Sequence, residues 1–587
     1  MHTPSSMSSP HKPAQPAFPL HWTERTKVSP QTVRELQEAL KIHALTAHLL
    51  ASRGLQAPEL ANSFLQPSLR DLPHPNKLKG MEAACKRLIH ALNNNERILI
   101  YGDYDVDGVT STSLLTLYFR ELGVKSDKLF SYIPHRLEHG YGLQPDCFPD
   151  IAEMNCDVVV TVDCGISSKA EVDELNKMGL DVIVIDHHLP PEQLPNAYAI
   201  INPRQDGCAY PDKNLAAVGV SYQLMIGLRA ALREVGFFNN RPEPNLRRYL
   251  DLVALGTVAD IVPLQGVNRI LVHHGLKQMQ HTQWPGLRAL MQVAHVVPEK
   301  VDATQIGFRL GPRINAAGRM EHASMAVKLL CNNDYQEAIS LSYALDEANT
   351  ERRSLQESIY TQAQTILSTD PKWNDEHAIV LAENNWHLGV VGIVASKLMD
   401  HWHRPVILIA LDPSKGIGKG SARSIESFNI HDALTRCGDY LVKYGGHKAA
   451  AGLTVAIDQF EDFREAFLRM ARHSIQEQAL QGHITYDVEF DPSQLTLQLL
   501  EEISMLEPFG ADNPAPMMVA SQVPVHGQRK TKDGKHLQFT AGRSVKSIAF
   551  RQADKHPLPN QVSLAYHPQI NEWKGRRSIQ LNVQQIG

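Results

Sequence analysis

Residues 97–109, RILIYGDYDVDGV, join a short apolar run to three aspartates at alternate positions, Asp103, Asp105 and Asp107. The apolar run predicts a strand covered on both faces. Residues 109–122 have a helical apolar pattern that stops at Gly123, a helix C-cap. The aspartates therefore stand where a strand turns into a helix, the usual position for chemistry in open α/β sheets. Three acids this close repel one another unless a cation neutralises them; an acidic surface turn is the alternative.

The bulk composition limits the class of protein. A chain of 587 residues is too long for one core and predicts roughly three or four domains. Its seven cysteines form no CxxC pair, which indicates reduced thiols in a cytosolic compartment and excludes a disulfide framework or zinc site. No apolar run reaches about 18 residues, so no transmembrane helix is expected. The net charge of −5 disfavours a nucleic-acid partner unless the basic residues are clustered.

The next strands repeat the opening pattern. Residues 157–162, DVVVTV, end at Asp163, and residues 181–185, DVIVI, end at Asp186, His187 and His188. A helical stretch between them predicts a parallel sheet with right-handed crossovers, whose carboxyl ends share one edge. Further on, Asp260 lies inside an apolar stretch, where a carboxylate needs a cation or strong hydrogen bonds.

These polar residues form a mixed carboxylate and imidazole set. Such a set suits two divalent ions about 4 Å apart, the arrangement used for in-line phosphoryl displacement. Imidazole among oxygen ligands favours manganese over calcium, with magnesium also acceptable. Taken singly, each acid can be a helix cap and each histidine a hydrogen-bonded core residue. The predicted metal set is Asp103, Asp105, Asp107, Asp163, His187, His188 and Asp260.

Six motifs carry a resemblance to a known family. GDYDVDG, VDCGI, DHH and VADIVPL, in this order, resemble the four motifs of the DHH phosphoesterase superfamily. GPRINAAGR at 311–319 and GGHKAAAG at 445–452 resemble the RecJ branch, which comprises bacterial single-strand-specific 5′→3′ exonucleases. The resemblance runs from about residue 70 to the C-terminus.

The resemblance implies a role for each motif residue. Asp103 and Asp105 would hold one ion, Asp107, His187 and Asp260 the other, and Asp163 would bridge them. His188 would face the scissile phosphate, Asp186 would orient an imidazole, and His447 would lie near the reacting phosphate. The two ions would activate a water for in-line attack and neutralise the developing charge.

A set of polar residues is expected to bind phosphate. Arg136 lies in a glycine-containing loop, and Arg313, Asn315 and Arg319 lie among small residues that would let a sugar–phosphate backbone approach. Structural ion pairs are the alternative, above all for Arg313. The resemblance favours the terminal 5′-phosphate for Arg136 and Arg319, and it adds Ser421 and Arg423 as residues that help to hold the 5′ end.

The predicted fold is α/β, with two α/β lobes joined by a long helix at 334–367 and a C-terminal β-barrel. The helix is expected to be a spacer beside a cleft too narrow for a duplex, or else to pack within one lobe. The predicted domains are a disordered leader (1–30), an N-terminal helical segment packed on the catalytic domain (31–75), a DHH catalytic domain with a parallel sheet (76–285), a helical connector (286–370), a DHHA1 domain (371–475) and an OB-fold (480–587).

The barrel carries a basic stretch. Between Val525 and Lys555, eight Lys or Arg residues stand against two acids, a net charge of +6. With Phe539 and Phe550 interleaved, this stretch suits an OB-fold that tracks single-stranded DNA, and a solvated basic rim is the alternative. The predicted DNA-binding residues are Lys530, Lys532, Lys535, Arg543, Lys546 and Arg551.

The resemblance implies a 5′→3′ exonuclease that releases 5′-mononucleotides from single-stranded DNA with Mn²⁺ or Mg²⁺, in recombination and repair. Expected partners are single-stranded DNA, a single-strand-binding protein and a RecQ-type or similar helicase. We expect a monomer in the bacterial cytoplasm, associated with the nucleoid. The alternatives are a phosphodiesterase of short or cyclic oligonucleotides, a pyrophosphatase and a scaffold that has lost activity. The basic barrel disfavours the first two, and the full ligand set disfavours the third.

Overall fold

The computed structural model describes residues 21–136, 140, 142–480 and 482–587. Residues 1–20 of the predicted leader therefore lie outside the described residues. The chain forms two compact units: Glu24–Asn349 with Thr485–Gly587, and Thr350–Ile484 with the residues up to Thr23. Among the helices that the structure describes, none is long and apolar enough to cross a membrane.

The N-terminal segment packs against the C-terminal barrel. Its elements are β1 (His21–Glu24), α1 (Pro30–Leu40), α2 (Ala44–Ser52) and α3 (Pro58–Leu65). Leu36 and Leu49 are fully buried in one core with the barrel residues Leu499 and Leu564. The predicted packing on the catalytic domain is only part of this arrangement: Phe64 contacts Arg269 of the first lobe, while the barrel covers the apolar faces. An amphipathic pattern shows which face is buried but not what covers it.

The first α/β lobe contains an all-parallel, five-stranded sheet in the order β3-β2-β4-β5-β6. Every residue of β2 and β4 is buried, which explains their continuous branched apolar sequences. The parallel sheet predicted from these strands is confirmed. The elements are α4 (Met81–Asn94), β2 (Ile98–Gly102), α5 (Val106–Glu121), β3 (Leu129–Tyr132), α6 (Phe148–Met154), β4 (Val158–Val162), α7 (Lys169–Lys177), β5 (Asp181–Ile185), β6 (Ala199–Ile201) and α8 (Ala217–Glu234).

Helices complete this lobe and lead out of it. GPRINAAGR begins a helix, and the long helix predicted at 334–367 is confirmed at Tyr335–Thr369. The boundary between the two compact units falls inside this long helix. The elements are α9 (Leu250–Ala259), α10 (Gly266–Met279), α11 (Pro285–Val293), α12 (Ala303–Gln305), a π-helix (Ile306–Leu310), α13 (Gly311–Met320), α14 (Ser324–Leu330) and α15 (Tyr335–Thr369).

The second α/β lobe is built on a mixed sheet in the order β10-β11-β9-β8-β7. Strands β7 and β8 are parallel, and the remaining pairs are antiparallel. The predicted second α/β lobe is confirmed. Its elements are α16 (Lys372–Asp375), β7 (Ile379–Asn384), α17 (Leu388–Trp402), β8 (Val406–Asp412), β9 (Ile417–Arg423), α18 (Ile430–Arg436), β10 (Leu441–Gly446), β11 (Ala450–Ala456) and α19 (Phe460–Ser474).

The C-terminal strands form the predicted barrel. The sheet order is β13-β14-β15-β16-β18-β17, and a further pairing of β14 with β17 closes it. Strand β12 lies outside this sheet and pairs with β1. The elements are β12 (His483–Tyr486), β13 (Val488–Glu489), α20 (Leu497–Ser504), β14 (Met518–Lys530), β15 (Leu537–Ala541), β16 (Val545–Ala549), β17 (Gln561–Trp573) and β18 (Arg576–Ile586).

A buried arginine ties the barrel to the first lobe. Arg269 of α10 is 2% exposed, and its guanidinium lies 3.6 Å from the ring centroid of Phe64. Its N–H groups donate to four backbone carbonyls, at 2.8–3.2 Å, from the end of α3 and the segment after α20. Burial lowers the pKa of Arg269 to about 9. The acceptors are the carbonyls of Phe64, Met505, Leu506 and Glu507.

Candidate metal centre and phosphate-binding residues

Polar side chains follow three adjacent strands at one edge of the parallel sheet. Asp103 comes directly after β2, Asp163 after β4, and Asp186 after β5. The ends of these strands are in register, with Gly102 beside Val162 and Val162 beside Ile185. The strand ends therefore converge as the sequence predicts.

Asp105 and Asp107 belong to the start of α5. The Oδ1 atom of Asp105 accepts hydrogen bonds from the N–H groups of Asp107 (2.9 Å) and Gly108 (3.2 Å), so it caps the helix. Because of this cap, α5 begins at Val106, three residues before the predicted start. Asp107 lies in the first turn.

Each oxygen of the Asp107 carboxylate accepts a backbone hydrogen bond. Its Oδ2 accepts from the N–H of Ala217 (2.6 Å) and its Oδ1 from the N–H of Val218 (2.8 Å). Both donors belong to the first turn of α8, where backbone N–H groups and the helix dipole favour an anion. No side chain of α8 takes part, so the sequence gives no signal for this contact.

The structure brings the predicted ligands together in two groups. In each group, one ligand atom per residue lies within 4.8 Å of the others. The groups match the division that the resemblance implies, and the assignment of single residues to single ions stays a prediction. One group is Asp103, Asp105 and Asp163, and the other is Asp107, His187 and Asp260.

His187 lies where the two groups meet. Its Nε2 atom is 3.3 Å from Asp163 Oδ1, 3.7 Å from Asp260 Oδ2 and 3.9 Å from Asp107 Oδ2. Asp163, His187 and His188 form a further set within 4.8 Å. The six predicted ligands and His188 therefore make one continuous centre.

Burial of these carboxylates is costly without a cation. Burial and the neighbouring carboxylates raise the pKa of Asp103 and Asp163 well above the usual value. The same causes raise the pKa of Asp107 to about 7 and that of Asp260 to about 9. Burial lowers the pKa of His187 to about 4, which keeps its imidazole neutral and able to ligate.

Two buried oxygen atoms test whether the residues fit divalent ions. Asp103 Oδ1 and Asp260 Oδ2 accept no hydrogen bond from any residue that the structure describes. Buried acceptors of this kind cost about 1–3 kcal/mol each, and more when charged. Oxygen-rich ligands with one imidazole are the donor set that manganese and magnesium accept. The residues therefore fit divalent ions.

Asp186 and His188 form a hydrogen-bonded pair beside the centre. Asp186 is fully buried and accepts bonds from the N–H groups of Ile166, His187 and His188, and its Oδ1 lies 2.7 Å from His188 Nδ1. Burial raises the pKa of Asp186, but its bonds to His188 and the backbone outweigh this effect and lower it. Burial lowers the pKa of His188, but Asp186 outweighs this effect and raises it. Asp186 thus positions His188 and favours its protonated form.

The arginines near the centre have different environments. The guanidinium of Arg136 lies 4.6 Å from the ring centroid of Tyr104. By contrast, Arg313 is 7% exposed, pairs with Asp346 at 2.8 Å and donates to the carbonyl of Arg309 at 2.7 Å. Arg313 is therefore held in the structural ion pair that was the alternative interpretation of its sequence, and its phosphate role stays a prediction.

Two glycines of α13 pack closely against neighbouring segments: the loop of residues 103–105, which we call the metal loop, and the end of α9. A Cβ atom added to Gly318 would lie 2.8 Å from the carbonyl oxygen of Tyr104, and one at Gly311 would lie 3.3 Å from the Cβ of Ala259. The glycines therefore let α13 pack closely at these two positions, and the approach of a sugar–phosphate backbone stays a prediction.

Asn315 of the same helix holds the metal loop. Its Oδ1 accepts from the N–H of Val106 at 3.2 Å. This contact gives Asn315 a structural role that the predicted phosphate role does not include.

Ser421, Arg423 and His447 lie in the second compact unit. Arg423 Nη1 donates to Ser421 Oγ at 2.8 Å, and a Cβ atom on Gly392 of α17 would come within 2.8 Å of the same oxygen. His447 is exposed at the turn between β10 and β11. The structure thus joins Ser421 and Arg423, and their role at the 5′ end stays a prediction.

The six predicted DNA-binding cations are exposed but separate into two groups. Strands β15 and β16 pair from Leu537 beside Ala549 at one end to Ala541 beside Val545 at the other. Lys530, Lys532, Lys535 and Arg551 surround the first end, which we call the hairpin group. Arg543 and Lys546 lie at the second end, where they line a recess of about 330 Å³ with Ser493 and Ser578.

The two barrel phenylalanines also differ. Phe539 is 4% exposed and belongs to the barrel core, so its ring is not on the surface of the barrel. Phe550 is 50% exposed, and its ring centroid lies 5.1 Å from that of His536. Strand alternation places the first ring inward, whereas Phe550 follows the end of β16.

Comparison with known proteins identifies the family. The DHH family N-terminal domain matches residues 97–257, the DHHA1 domain residues 375–472 and the RecJ OB domain residues 486–585. The single-stranded-DNA-specific exonuclease RecJ of Dickeya dadantii (strain 3937) is 39% identical over 575 residues, covering 95% of this chain and 98% of that protein. The chain belongs to the RecJ family.

Solved RecJ structures share the fold and carry metals. RecJ from Thermus thermophilus in complex with Mn²⁺ matches with a TM-score of 0.82 at 31% identity, covering 97% of this chain and 79% of that one. Its complex with Mg²⁺ matches with a TM-score of 0.77 at 29% identity, covering 97% and 78%. The predicted cofactors, Mn²⁺ or Mg²⁺, agree with these RecJ structures and with the ligand groups described above.

Proposed function

We propose that this RecJ family member hydrolyses single-stranded DNA from its 5′ end and releases 5′-mononucleotides with the help of two divalent ions. The observation that carries the proposal is the pair of ligand groups at one sheet edge, with a guanidinium held at 4.6 Å over the ring of Tyr104 inside the first motif. A phosphodiester beside the carboxylates would then have a second phosphate-binding group close by.

The chain prepares the reaction by holding its own groups in place. Asp163 and His187 occupy the meeting point of the two ligand groups, and α8 fixes the carboxylate of Asp107. His188, held by Asp186 and favoured in its protonated form, faces the scissile phosphate and donates a hydrogen bond to one of its oxygens. Divalent ions at such a centre supply an activated water and neutralise charge on the phosphate.

Polarity follows from recognition of the terminal phosphate. Arg136 and Arg319 bind it through their guanidinium groups, which match phosphate oxygens bidentately. Ser421, Arg423 and His447, which lie in the other compact unit, are proposed as further residues that bind the DNA near its 5′ end. Because this phosphate marks the 5′ end, hydrolysis at the metal centre removes one nucleotide and leaves a new 5′-phosphate for the next cycle.

Substrate choice and cellular role rest on the barrel and on the relatives. The relatives are named as single-stranded-DNA-specific exonucleases, and exposed cations on the barrel suit the continuing strand. We propose a role in recombination and repair as a monomer in the bacterial cytoplasm and nucleoid. A single-strand-binding protein and a RecQ-type helicase are the proposed partners.

One digestion experiment tests the proposal. Single strands labelled at the 5′ or the 3′ end, and the matching blunt duplex, are incubated with the metal-stripped protein before and after addition of Mn²⁺ or Mg²⁺. We expect early release of 5′-labelled mononucleotide from the single strand, a shrinking ladder from the 3′-labelled strand, and no reaction without metal. Equal digestion of the duplex, or early release of the 3′ label, would contradict the proposal.

A further inference from the structure

Tyr104 lies at the junction of three segments beside the metal centre. It stands between Asp103 and Asp105 in the loop that follows β2. The guanidinium of Arg136, from the loop that follows β3, lies 4.6 Å from the centroid of its ring. This distance is that of a cation–π contact, which orients a guanidinium by one face and leaves its N–H edge available.

Helix α13 reaches Tyr104 from another direction. Any side chain at position 318 would lie 2.8 Å from the Tyr104 carbonyl oxygen and 3.3 Å from its Cβ, so only glycine lets α13 sit here. Arg319 is the next residue of that helix.

A ring contact joins the two outer segments to each other. His135, next to Arg136, and His322, two residues beyond the end of α13, have ring centroids 5.7 Å apart. Each of the three segments therefore contacts the other two: the loop after β3, the metal loop, and helix α13 with the residues that directly follow it. Arg136 and Arg319 project from two of these segments, and Tyr104 lies in the third.

Arg313 has a different environment from Arg136, because its guanidinium is paired with a carboxylate and not with an aromatic ring. Its guanidinium is neutralised by Asp346 at 2.8 Å and is 7% exposed. Arg136 instead lies on a neutral ring, and its residue is only partly buried. An aromatic support keeps the full positive charge of the guanidinium for a ligand, whereas a carboxylate support cancels it.

We propose that Tyr104 is a positioning residue that fixes the distance between the terminal-phosphate site and the metal centre. The residue that supports the guanidinium of Arg136 is covalently flanked by two predicted metal ligands, so the two sites cannot shift independently. This fixed spacing limits each cut to one nucleotide. The inference rests on the proposed function, because it assumes that Arg136 and Arg319 bind the terminal phosphate.

The test compares Tyr104→Leu with Tyr104→Phe in the full-length chain. The probe is a 3′-fluorescein oligothymidylate with phosphorothioate linkages, carrying either a 5′-phosphate or a 5′-hydroxyl, titrated in Mn²⁺ and followed by anisotropy. The wild type binds the phosphorylated probe more tightly. We expect Tyr104→Leu to reduce this preference roughly 2- to 30-fold, the range of a cation–π contact. Tyr104→Phe retains it, because the ring and not the hydroxyl carries the contact.

A double variant separates positioning from a general structural effect. The double variant Tyr104→Leu/Arg136→Ala should show the same preference for the 5′-phosphate as Arg136→Ala alone. Tyr104 acts only by orienting the guanidinium of Arg136, so its loss has no further effect once that guanidinium is gone. Calorimetric Mn²⁺ affinity should be unchanged in Tyr104→Leu. Digests of ordinary single strands by Tyr104→Leu should contain dinucleotides beside mononucleotides.

Three outcomes would overturn the inference. They are an unchanged preference in Tyr104→Leu, an equal loss in Tyr104→Phe, and digests by Tyr104→Leu that contain only mononucleotides. A wild type that binds both probes equally would also overturn it, while its digestion of single strands would still be judged separately. Conversely, a wild type that prefers the phosphate but does not digest DNA would leave Tyr104 as a positioning residue and remove the proposed hydrolysis.

Discussion

The metal edge of the parallel sheet carries buried acidic side chains, whereas the surface of the C-terminal barrel carries exposed basic side chains. At the metal edge, Asp103, Asp107 and Asp163 are at most 2% exposed, and backbone N–H groups fix the carboxylate of Asp107. On the barrel, all six predicted DNA-binding cations are exposed. In the first region, carboxylates that repel one another are buried close together. In the second, the positive charges are separated and surrounded by water.

The difference predicts how each region responds to substitution. A buried charge is held at one place, so its loss affects the chemistry at that place. An exposed cation contributes through a field that its neighbours share and that salt screens. We therefore expect large, local effects at the metal edge and small, additive effects on the barrel.

The largest effect is expected for Asp163→Ala. Asp163 belongs to one ligand group and lies 3.3 Å from His187 of the other, so its loss should reduce kcat on single strands roughly 100- to 1,000-fold. Initial rates in saturating Mn²⁺ measure this loss. The matched control is Asp157→Asn at the opposite end of β4, where the carboxylate accepts from the N–H of Arg97 at 2.7 Å. Comparable loss in both variants would contradict a special role for the carboxyl edge.

Arg269→Met tests whether the hydrogen bonds of this one arginine, which join the first lobe to the barrel, stabilise the fold. The substitution removes the donors to four carbonyls at the seam between α10, α3 and the barrel. We expect a loss of about 2–4 kcal/mol in the free energy of unfolding, since the buried acceptors lose their partners. Urea unfolding followed by tryptophan fluorescence measures it. Arg288→Met on the exposed face of α11 is the control, and equal stability of the two variants would rule out the anchoring role.

Removal of the metals should make stability depend on pH. The pKa of Asp107 is about 7 and that of Asp260 about 9, above the value of about 4 for an unfolded aspartate. The folded state therefore binds more protons than the unfolded state in this window, and stability falls as pH rises through it. We expect a lower Tm at pH 8.5 than at pH 6 in chelator, and recovery on adding Mn²⁺.

Asp260→Asn provides the control for this pH effect. The amide does not ionise, so the metal-free variant should lose less Tm between pH 6 and pH 8.5 than the wild type does. A metal-free wild type whose Tm is the same at both values would show that these carboxylates do not carry the cost described here.

The smallest effects are expected on the barrel. Lys532→Ala in the hairpin group and Lys546→Ala in the recess should each raise KM for a long single strand roughly 2- to 5-fold and leave kcat unchanged. The salt dependence of binding should weaken by about one ion per substitution. Steady-state kinetics at several salt concentrations compare the two ends of the barrel. A fall in kcat in either variant would contradict the contrast between the regions.

Sequence patterns predicted the metal edge well because its constraints are local. A buried parallel strand must be apolar throughout, so the polar residue that ends it, such as Asp163, stands out. The long helix was also predicted closely, since its pattern runs without proline from Tyr335 to Thr369. Both features are determined by residues that are neighbours in the chain.

The sequence was least informative where a residue's environment depends on distant residues. The glycines of α13 signal a close approach, but the sequence does not show that Tyr104 is the partner. Arg313 resembles a phosphate ligand until α15 brings Asp346 beside it. On the barrel, alternation predicts which side chains face outward but not that Lys530 and Lys546 lie at opposite ends of β15 and β16.

The shared core of the N-terminal helices and the barrel has a consequence for the order of synthesis. Residues 36–65 contribute apolar side chains whose partners lie in residues 495–586. About 430 residues separate these two sets, so a ribosome working at about 5–20 residues per second needs roughly 20 to 90 s to supply the missing half. During that interval Leu36 and Leu49 have no barrel to cover them, so the N-terminal helices complete their core only when the last hundred residues of the chain emerge.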